Sequence, residues 1–456
     1  MTFLQELQLY QEKMDAAKAD LKTLYLNSED KGTWAVAWSG GKDSTCVLKL
    51  ITEVVMALPV EQRQRHVYVV MSDTVVENPE LDLYMREQQQ LFNQWATKNK
   101  APFSAHIVER PVEKGYFFCL LGKGHPLPSQ SIRWCTDRLK IKPQDNFFLE
   151  ITPTYVLSGV RRSESQTRER KIDRYSIEEK VALYEHSKLT PLGTKVFMPI
   201  INFDVEDVWR SLREPTLWGS TEDIRRIYKD ATGECGFSNP KGTEEKGVEV
   251  CGARFGCWTC PVVVKDKSTE QMAKIHDWML PLTEWRKLHM QVHGRYKPTR
   301  YEGQVRKDRS LTIKKFKAIQ YAILRMTKAG FGRRGKEYNL GAGTLSLEAR
   351  IFLTKELLKT IEKVNTMRMA QGMEPLEIIR DDEYQAICKQ QQEDLLEREW
   401  LHQNKMKIPF DRKMLFENMD ERETADIAKL NHLSPDEIAD KIVENFSKGI
   451  FEFPTE

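Results

Sequence analysis

A parallel, doubly wound α/β sheet is the fold class this sequence predicts, and three observations carry it. An alternating apolar run, Trp34 to Trp38, reads as a buried strand and gives way at Ser39-Gly40-Gly41-Lys42-Asp43-Ser44 to a helix-period stretch, Asp43 to Met56. Two further strand-like runs follow, Val67 to Met71 and Phe103 to Val108, with a helical segment, Glu77 to Asn99, between them. Strands that alternate with helices in this way form a parallel sheet with helices on its faces.

The turn after the first strand is the most informative stretch. Adjacent glycines, Gly40 and Gly41, let the backbone approach a ligand closely. The helix start behind them offers free N–H groups and the positive end of the helix dipole, which together make an anion site. Ser39 and Ser44 add hydroxyl donors and Lys42 a charge. The glycines lie too close to the lysine for a P-loop of the G-x-x-x-x-G-K-[ST] kind. Asp73 ends the second strand, and ligands of parallel sheets gather at the carboxyl ends of strands, so Asp73 is expected to face the bound ligand or a metal that accompanies it.

Further along, Thr154 to Ser158 reads as another strand, leading into Gly159-Val-Arg161-Arg162-Ser163-Glu164-Ser165-Gln-Thr-Arg168. A strand end here would deliver two guanidiniums, whose forks match phosphate oxygens. Glu164 would orient an arginine or a substrate group. Asp204 and Asp207 suit the N-terminus of a helix over Val205 to Leu212. The remaining elements are an N-terminal amphipathic helix over Met1 to Leu26, a Gly- and Pro-rich loop over the site from Gly115 to Ser131, and a helix capped by Thr136 and limited by Pro143. Beyond them lie helices over Leu311 to Ala329, Leu345 to Met369 and Asp381 to Lys405, and a helix start at Ser434.

With 456 residues the chain has room for two or three domains. No run of 18 apolar residues suggests a membrane span, and the acidic N-terminal helix is not a signal peptide, so a cytoplasmic location is expected. The net charge of +3 conceals an uneven distribution: Arg286 to Lys336 holds 16 Lys and Arg against two acids, leaving −11 for the rest. Such a concentration, interleaved with Tyr296, Tyr301, Phe316, Tyr321 and Phe331, suggests a polyanion partner such as nucleic acid.

Eight cysteines in such a chain suit metal ligation or reactive thiols better than a disulfide framework. Cys235, Cys251, Cys257 and Cys260 fall within 26 residues, and Cys257-Trp-Thr-Cys260 is a C-x-x-C. Zinc or an iron–sulfur cluster are the candidates. Cys251, Cys257 and Cys260 are the firmest ligands, and the fourth is Cys135 or Cys235. Cys135 sits among four basic residues beside an expected helix start, a setting that lowers a thiol's pKa. Cys46, Cys119 and Cys388 have apolar surroundings and are expected in the core.

The Ser39–Ser44 turn resembles the SGGxDS pyrophosphate loop of the ATP pyrophosphatases, which split ATP between the α and β phosphates. Gly159 to Arg168 is similar to that superfamily's G-x-R-x-x-E-S-x-x-R element. Arg133-Trp-Cys135-Thr136 resembles the R-x-C-C cluster element of adenylyl-sulfate reductases, with Thr136 in place of the second cysteine. Cys251-Gly-Ala-Arg-Phe-Gly-Cys257-Trp-Thr-Cys260-Pro-Val-Val looks like the sulfurtransferases of DNA phosphorothioation, of the DndC and SspD type.

The resemblance implies a HUP-like nucleotide domain over residues 1–212, an iron–sulfur region over 213–280 and a basic, then acidic, helical part over 281–456. It implies catalytic roles for Lys42, Asp43, Arg161 and Arg162. ATP and Mg²⁺ would be held by Ser39, Gly40, Gly41, Lys42, Asp43, Ser44, Asp73, Gly159, Glu164 and Arg168. A 4Fe–4S cluster would sit on Cys135, Cys251, Cys257 and Cys260, with Cys235 as the alternative fourth ligand. The implied partners are DNA, a cysteine desulfurase as sulfur donor and other subunits of a phosphorothioation complex. A tRNA-thiolating or adenylyl-sulfate reductase-like enzyme is the alternative within the superfamily, and a non-enzymatic nucleic-acid-binding subunit the alternative outside it.

Overall fold

The computed structural model describes residues 2–125, 127–128, 133–164, 176–178, 180–184, 192–232, 255–263, 265–292 and 347–403. The chain divides into two compact units. One comprises Met1–Arg110, Asp137–Cys257 and Asp266–Ile275, and the other Pro111–Thr136, Trp258–Lys265 and His276–Glu456.

The first unit is built on a sheet. Helix α1 (Phe3–Tyr25) opens with Thr2 as N-cap, in a reciprocal capping box with Gln5. Strand β1 (Trp34–Ala37) is central, and Trp34, Ala35 and Val36 are fully buried. Helix α2 (Lys42–Met56) returns the chain to β2 (Val67–Ser72), and α3 (Pro79–Lys98) to β3 (Phe103–Val108). Asn78 caps α3 and Pro79 occupies its first turn, where no N–H is needed. Helix α4 (Lys142–Ile151) leads to β4 (Tyr155–Leu157). Three short strands complete the sheet: β5 (Ser176–Glu178), β6 (Val181–Leu183) and β7 (Lys195–Phe197). Helices α5 (Val205–Ser211), α6 (Glu222–Thr232) and α7 (Lys267–Ile275) close the unit.

The seven strands lie in the order β3-β2-β1-β4-β7-β6-β5. From β3 to β7 all neighbours are parallel, with Trp34 opposite both Val67 and Tyr155, whereas β6 runs antiparallel to its neighbours. The expected doubly wound parallel sheet is therefore present, with an antiparallel edge added. The chain leaves β1 toward β2 on one side and reaches β4 on the other. That reversal opens a crevice beyond the carboxyl ends of β1 and β4, where such sheets bind ligands.

The Asp204 cap is present, in a capping box with Asp207. Thr136 differs from expectation. It ends a short helical turn, its N–H donating to Arg133 O at 3.0 Å, and a π-helical turn, Asp137–Ile141, carries the chain into α4. Pro143 thus lies in the first turn of α4 instead of limiting a helix begun at Thr136.

In the second unit, the expected loop over Gly115 to Ser131 is helical in its first half. Tyr116, Phe117, Cys119, Leu120 and Leu121 are almost wholly buried, and Phe118–Gly122 makes a π-helical turn. Around it lie α8 (Leu280–Val292), α9 (Leu347–Ala370) and α10 (Asp381–Gln403). Side chains from these helices cap the buried turn at both ends. Glu383 of α10 accepts from the Phe118 N–H at 3.0 Å, Gln391 donates to Leu121 O at 3.0 Å, and Arg350 of α9 donates to Gly122 O. The expected helix over Leu311 to Ala329, the Arg333-Arg334 loop and the Ser434 helix start lie outside the described residues.

Candidate functional site

Two loops meet at the crevice of the first unit. Trp38 Nε1 donates to Thr45 Oγ1 at 3.0 Å and fixes the end of β1 to the first turn of α2. Between them Gly40 takes φ +71°, a conformation that favours glycine. Gly41 is the N-cap of α2 and has no side chain to cap it. The Ser44 hydroxyl donates to Gly41 O at 3.0 Å and accepts from the Ser39 N–H at 3.2 Å, so the turn is braced from inside. Gly159, from the loop after β4, lies against this helix start: a Cβ there would fall 2.8 Å from Asp43 C and 2.9 Å from Ser44 N. The close approach explains why a glycine stands at that position.

The charges are gathered as tightly as the backbone. Asp43 Oδ1 accepts from Arg161 Nε at 2.7 Å, and its Oδ2 lies 3.0 Å from Lys42 Nζ. Arg161 Nη1 also donates to Ser163 Oγ at 3.0 Å. The Lys42 and Arg161 side chains are only 7% and 5% exposed, so two buried cations share one carboxylate. This leaves a surplus of positive charge at a helix N-terminus, an environment that suits phosphate.

Arg162 opens a short 3₁₀ turn, Arg162–Glu164, and its N–H donates to Ile201 O at 3.0 Å. Asp73 is buried at the end of β2. Its Oδ1 accepts from the Val75 N–H at 2.9 Å and its Oδ2 lies 3.0 Å from Arg86 of α3. The Glu164 side chain and Arg168 lie outside the described residues. Tyr228 of α6 belongs to the site, although the sequence motifs did not reveal it. Its hydroxyl accepts from the Lys42 N–H at 3.2 Å, and its ring lies 5.3 Å beneath Lys42 Nζ. The apolar spacing of Ile224, Ile227, Tyr228 and Ala231 marks a buried face of α6 but not what that face meets.

The second unit brings Cys135 and Cys260 together. Burial pushes the Cys135 thiol up, and the neighbouring Cys260 adds to the effect. This reverses the low pKa expected from the basic residues in the local sequence, because burial disfavours the thiolate. Cys257 is half-buried, and Cys235 and Cys251 lie outside the described residues. Among the described residues no three His, Cys, Asp or Glu side chains converge as a metal site. Cys46 and Cys119 are buried as expected, whereas Cys388 is only half-buried.

Sheet order, glycine-rich turn and shared carboxylate define a nucleotide-binding α/β domain of the ATP pyrophosphatase kind. The chain belongs to the phosphoadenosine phosphosulfate reductase domain family, whose model matches residues 33–263. No protein of curated description matches it. Among solved structures it is similar to the phosphate complex of phosphoadenylyl-sulfate reductase from Candida auris, at 14% identity over 47% of this chain and 86% of that one, with a TM-score of 0.30. A second is FMN adenylyltransferase of Candida glabrata with FAD and inorganic pyrophosphate, at 10% identity over 67% and 83% of the two chains and a TM-score of 0.32. A third is the U34-tRNA thiolase NcsA from Methanococcus maripaludis with its 4Fe–4S cluster, at 12% identity over 62% and 80% and a TM-score of 0.31. No described helix is long and apolar enough to cross a membrane.

Proposed function

We propose that this protein is an ATP-dependent sulfurtransferase that activates the DNA backbone by cleaving ATP to AMP and pyrophosphate and leaves a phosphorothioate. The observation that carries the ATP half is the pairing of Lys42 and Arg161 on Asp43 at the start of α2, with Gly159 pressed against that turn. The DNA half rests on the cysteine string from Cys251 to Pro261 and on the basic segment that follows it.

In this reading the triphosphate lies along the α2 N-terminus and draws Lys42 and Arg161 off Asp43, with Arg162 as a third cation. Asp43, released from its partners, is then available to Mg²⁺, with Asp73 as the other carboxylate. A non-bridging oxygen of a DNA phosphate attacks the α-phosphorus. The bond from that phosphorus to the bridging oxygen breaks, and pyrophosphate departs with its charge met by Lys42 and Arg161. The DNA phosphate now carries AMP, so its oxygen has become a good leaving group. Sulfur at the sulfide level attacks the DNA phosphorus, and AMP leaves with the oxygen. A cysteine desulfurase is the proposed source, with a thiol to reduce its persulfide.

Cys135, Cys251, Cys257 and Cys260 would hold a 4Fe–4S cluster, with Cys235 as the other candidate for the fourth place. When bound, the cluster would offer a site for sulfur. The nearness of Cys135 and Cys260 and the Pro261 that follows fit such a group. Adenylyl-sulfate reduction is disfavoured because Thr136 stands where those enzymes have a second cysteine. Pyrophosphate release from ATP, assayed with and without DNA, tests the reading. DNA-stimulated release that Lys42→Ala abolishes is the expected outcome, and release indifferent to Lys42 would remove the turn from the chemistry.

A further inference from the structure

Arg286 was grouped by sequence with the basic segment that suits a polyanion, and the structure withdraws it from that role. It lies on α8 and is 3% exposed. Its Nε and Nη2 donate to Cys260 O at 3.0 and 2.8 Å, and Nη2 also donates to Val263 O at 2.5 Å. The fork therefore spans the turn that follows the second cysteine of the C-x-x-C. Aromatic rings hold the surroundings still. Trp258 and Trp285 are almost wholly buried with centroids 5.6 Å apart, and Phe117 packs 6.2 Å from the first and 5.9 Å from the second.

Carbonyl oxygens accept hydrogen bonds but do not neutralise a guanidinium. No carboxylate among the described residues pairs with Arg286, and an uncompensated buried charge is costly. The proposed ligand Cys260 gives its own carbonyl to this fork, and thiols that bind a metal do so as thiolates. We propose that Arg286 is the positioning residue of the cysteine centre: its fork sets the turn that presents Cys260, and its charge offsets that of the metal-bound thiolates. The inference rests on the metal-thiolate reading proposed above.

The test uses full-length protein purified without oxygen, as wild type, Arg286→Lys and Arg286→Gln. Metal per chain, loss of metal to a chelator and midpoint potential are measured, together with thermal unfolding of the metal-free forms. Arg286→Gln should hold metal roughly 10- to 100-fold more weakly, as for other residues that orient ligands. Metal that remains should have a more negative midpoint potential, because a positive charge that favours the added electron is gone. Arg286→Lys should restore the potential but not the retention, since it keeps the charge and loses the fork. A variant changed only in the stability of its metal-free form, with wild-type retention and potential, would overturn the proposal. If Arg286→Gln does not fold, Arg286→Lys carries the comparison, and wild-type retention in it is the contrary result. Wild-type protein that binds neither iron nor zinc would instead overturn the metal reading itself, and the inference with it.

Discussion

Gly159 shows how far a single position can be constrained by a loop distant in sequence. A methyl group there would meet the Asp43 and Ser44 backbone, which cannot rotate away as a side chain could. Gly159→Ala should therefore cost about 1–3 kcal/mol of stability by overpacking, read as a lower unfolding midpoint, and should abolish ATP cleavage along with it. Cys46 gives a pH-dependent outcome. Burial pushes its thiol up to about 12, so it should resist alkylation in the native protein, while the half-buried Cys257 and Cys260 of the metal-free form react. Above pH 9 the unfolded thiol ionises and the folded one does not. Stability should fall as pH rises from about 9 toward 12, measured by chemical denaturation across that range. The residues of the Ser39–Ser44 turn were legible from sequence because their chemistry is local. Tyr228 was not, because it reaches Lys42 from 186 positions away and nothing near it signals that contact.

Helices and strands were read best where one period ran without interruption. Strand β3 occupies the expected span, and α5 begins at the capping box that Asp204 and Asp207 announce. The first half of the Gly115 to Ser131 segment departs from the expected loop for a physical reason. Its glycines and prolines signal a loop, yet Tyr116 to Leu121 is an apolar run that the second unit buries. Its ends are satisfied by Glu383, Gln391 and Arg350, all supplied by helices more than two hundred residues later. A local reading cannot see such caps. Glu383→Ala should leave the Phe118 N–H unsatisfied in a buried setting and cost about 1–3 kcal/mol, seen as a lower thermal midpoint. Gly115→Ala should disturb the same cap from the other side, since a Cβ at Gly115 would fall 2.2 Å from Glu383 Oε1.

At the scale of the whole molecule, the chain passes repeatedly between its two units. Cys257 ends a segment of the first and Trp258 begins a segment of the second, so the C-x-x-C spans a point where the chain changes unit. The family match ends at residue 263, just past this motif, and the basic segment lies beyond it. Arg286 belongs to the cysteine turn, which leaves 15 Lys and Arg against two acids from Lys287 to Lys336 for the proposed contact with DNA. The fold could be foreseen because a parallel sheet declares itself in alternating strands and helices. The chemistry proposed for it rests on resemblance, since folds of this kind carry many activities. The proposed role of ATP cleavage at the Ser39–Ser44 turn is to put sulfur into the DNA backbone. Its most direct test is mass spectrometry of nuclease-digested DNA after incubation with anaerobic full-length protein, ATP, Mg²⁺, a cysteine desulfurase and cysteine. Dinucleotides joined by a phosphorothioate should appear with wild-type protein and not with Lys42→Ala. DNA that carries no sulfur, in a reaction where ATP has been converted to AMP and pyrophosphate, would contradict the claim.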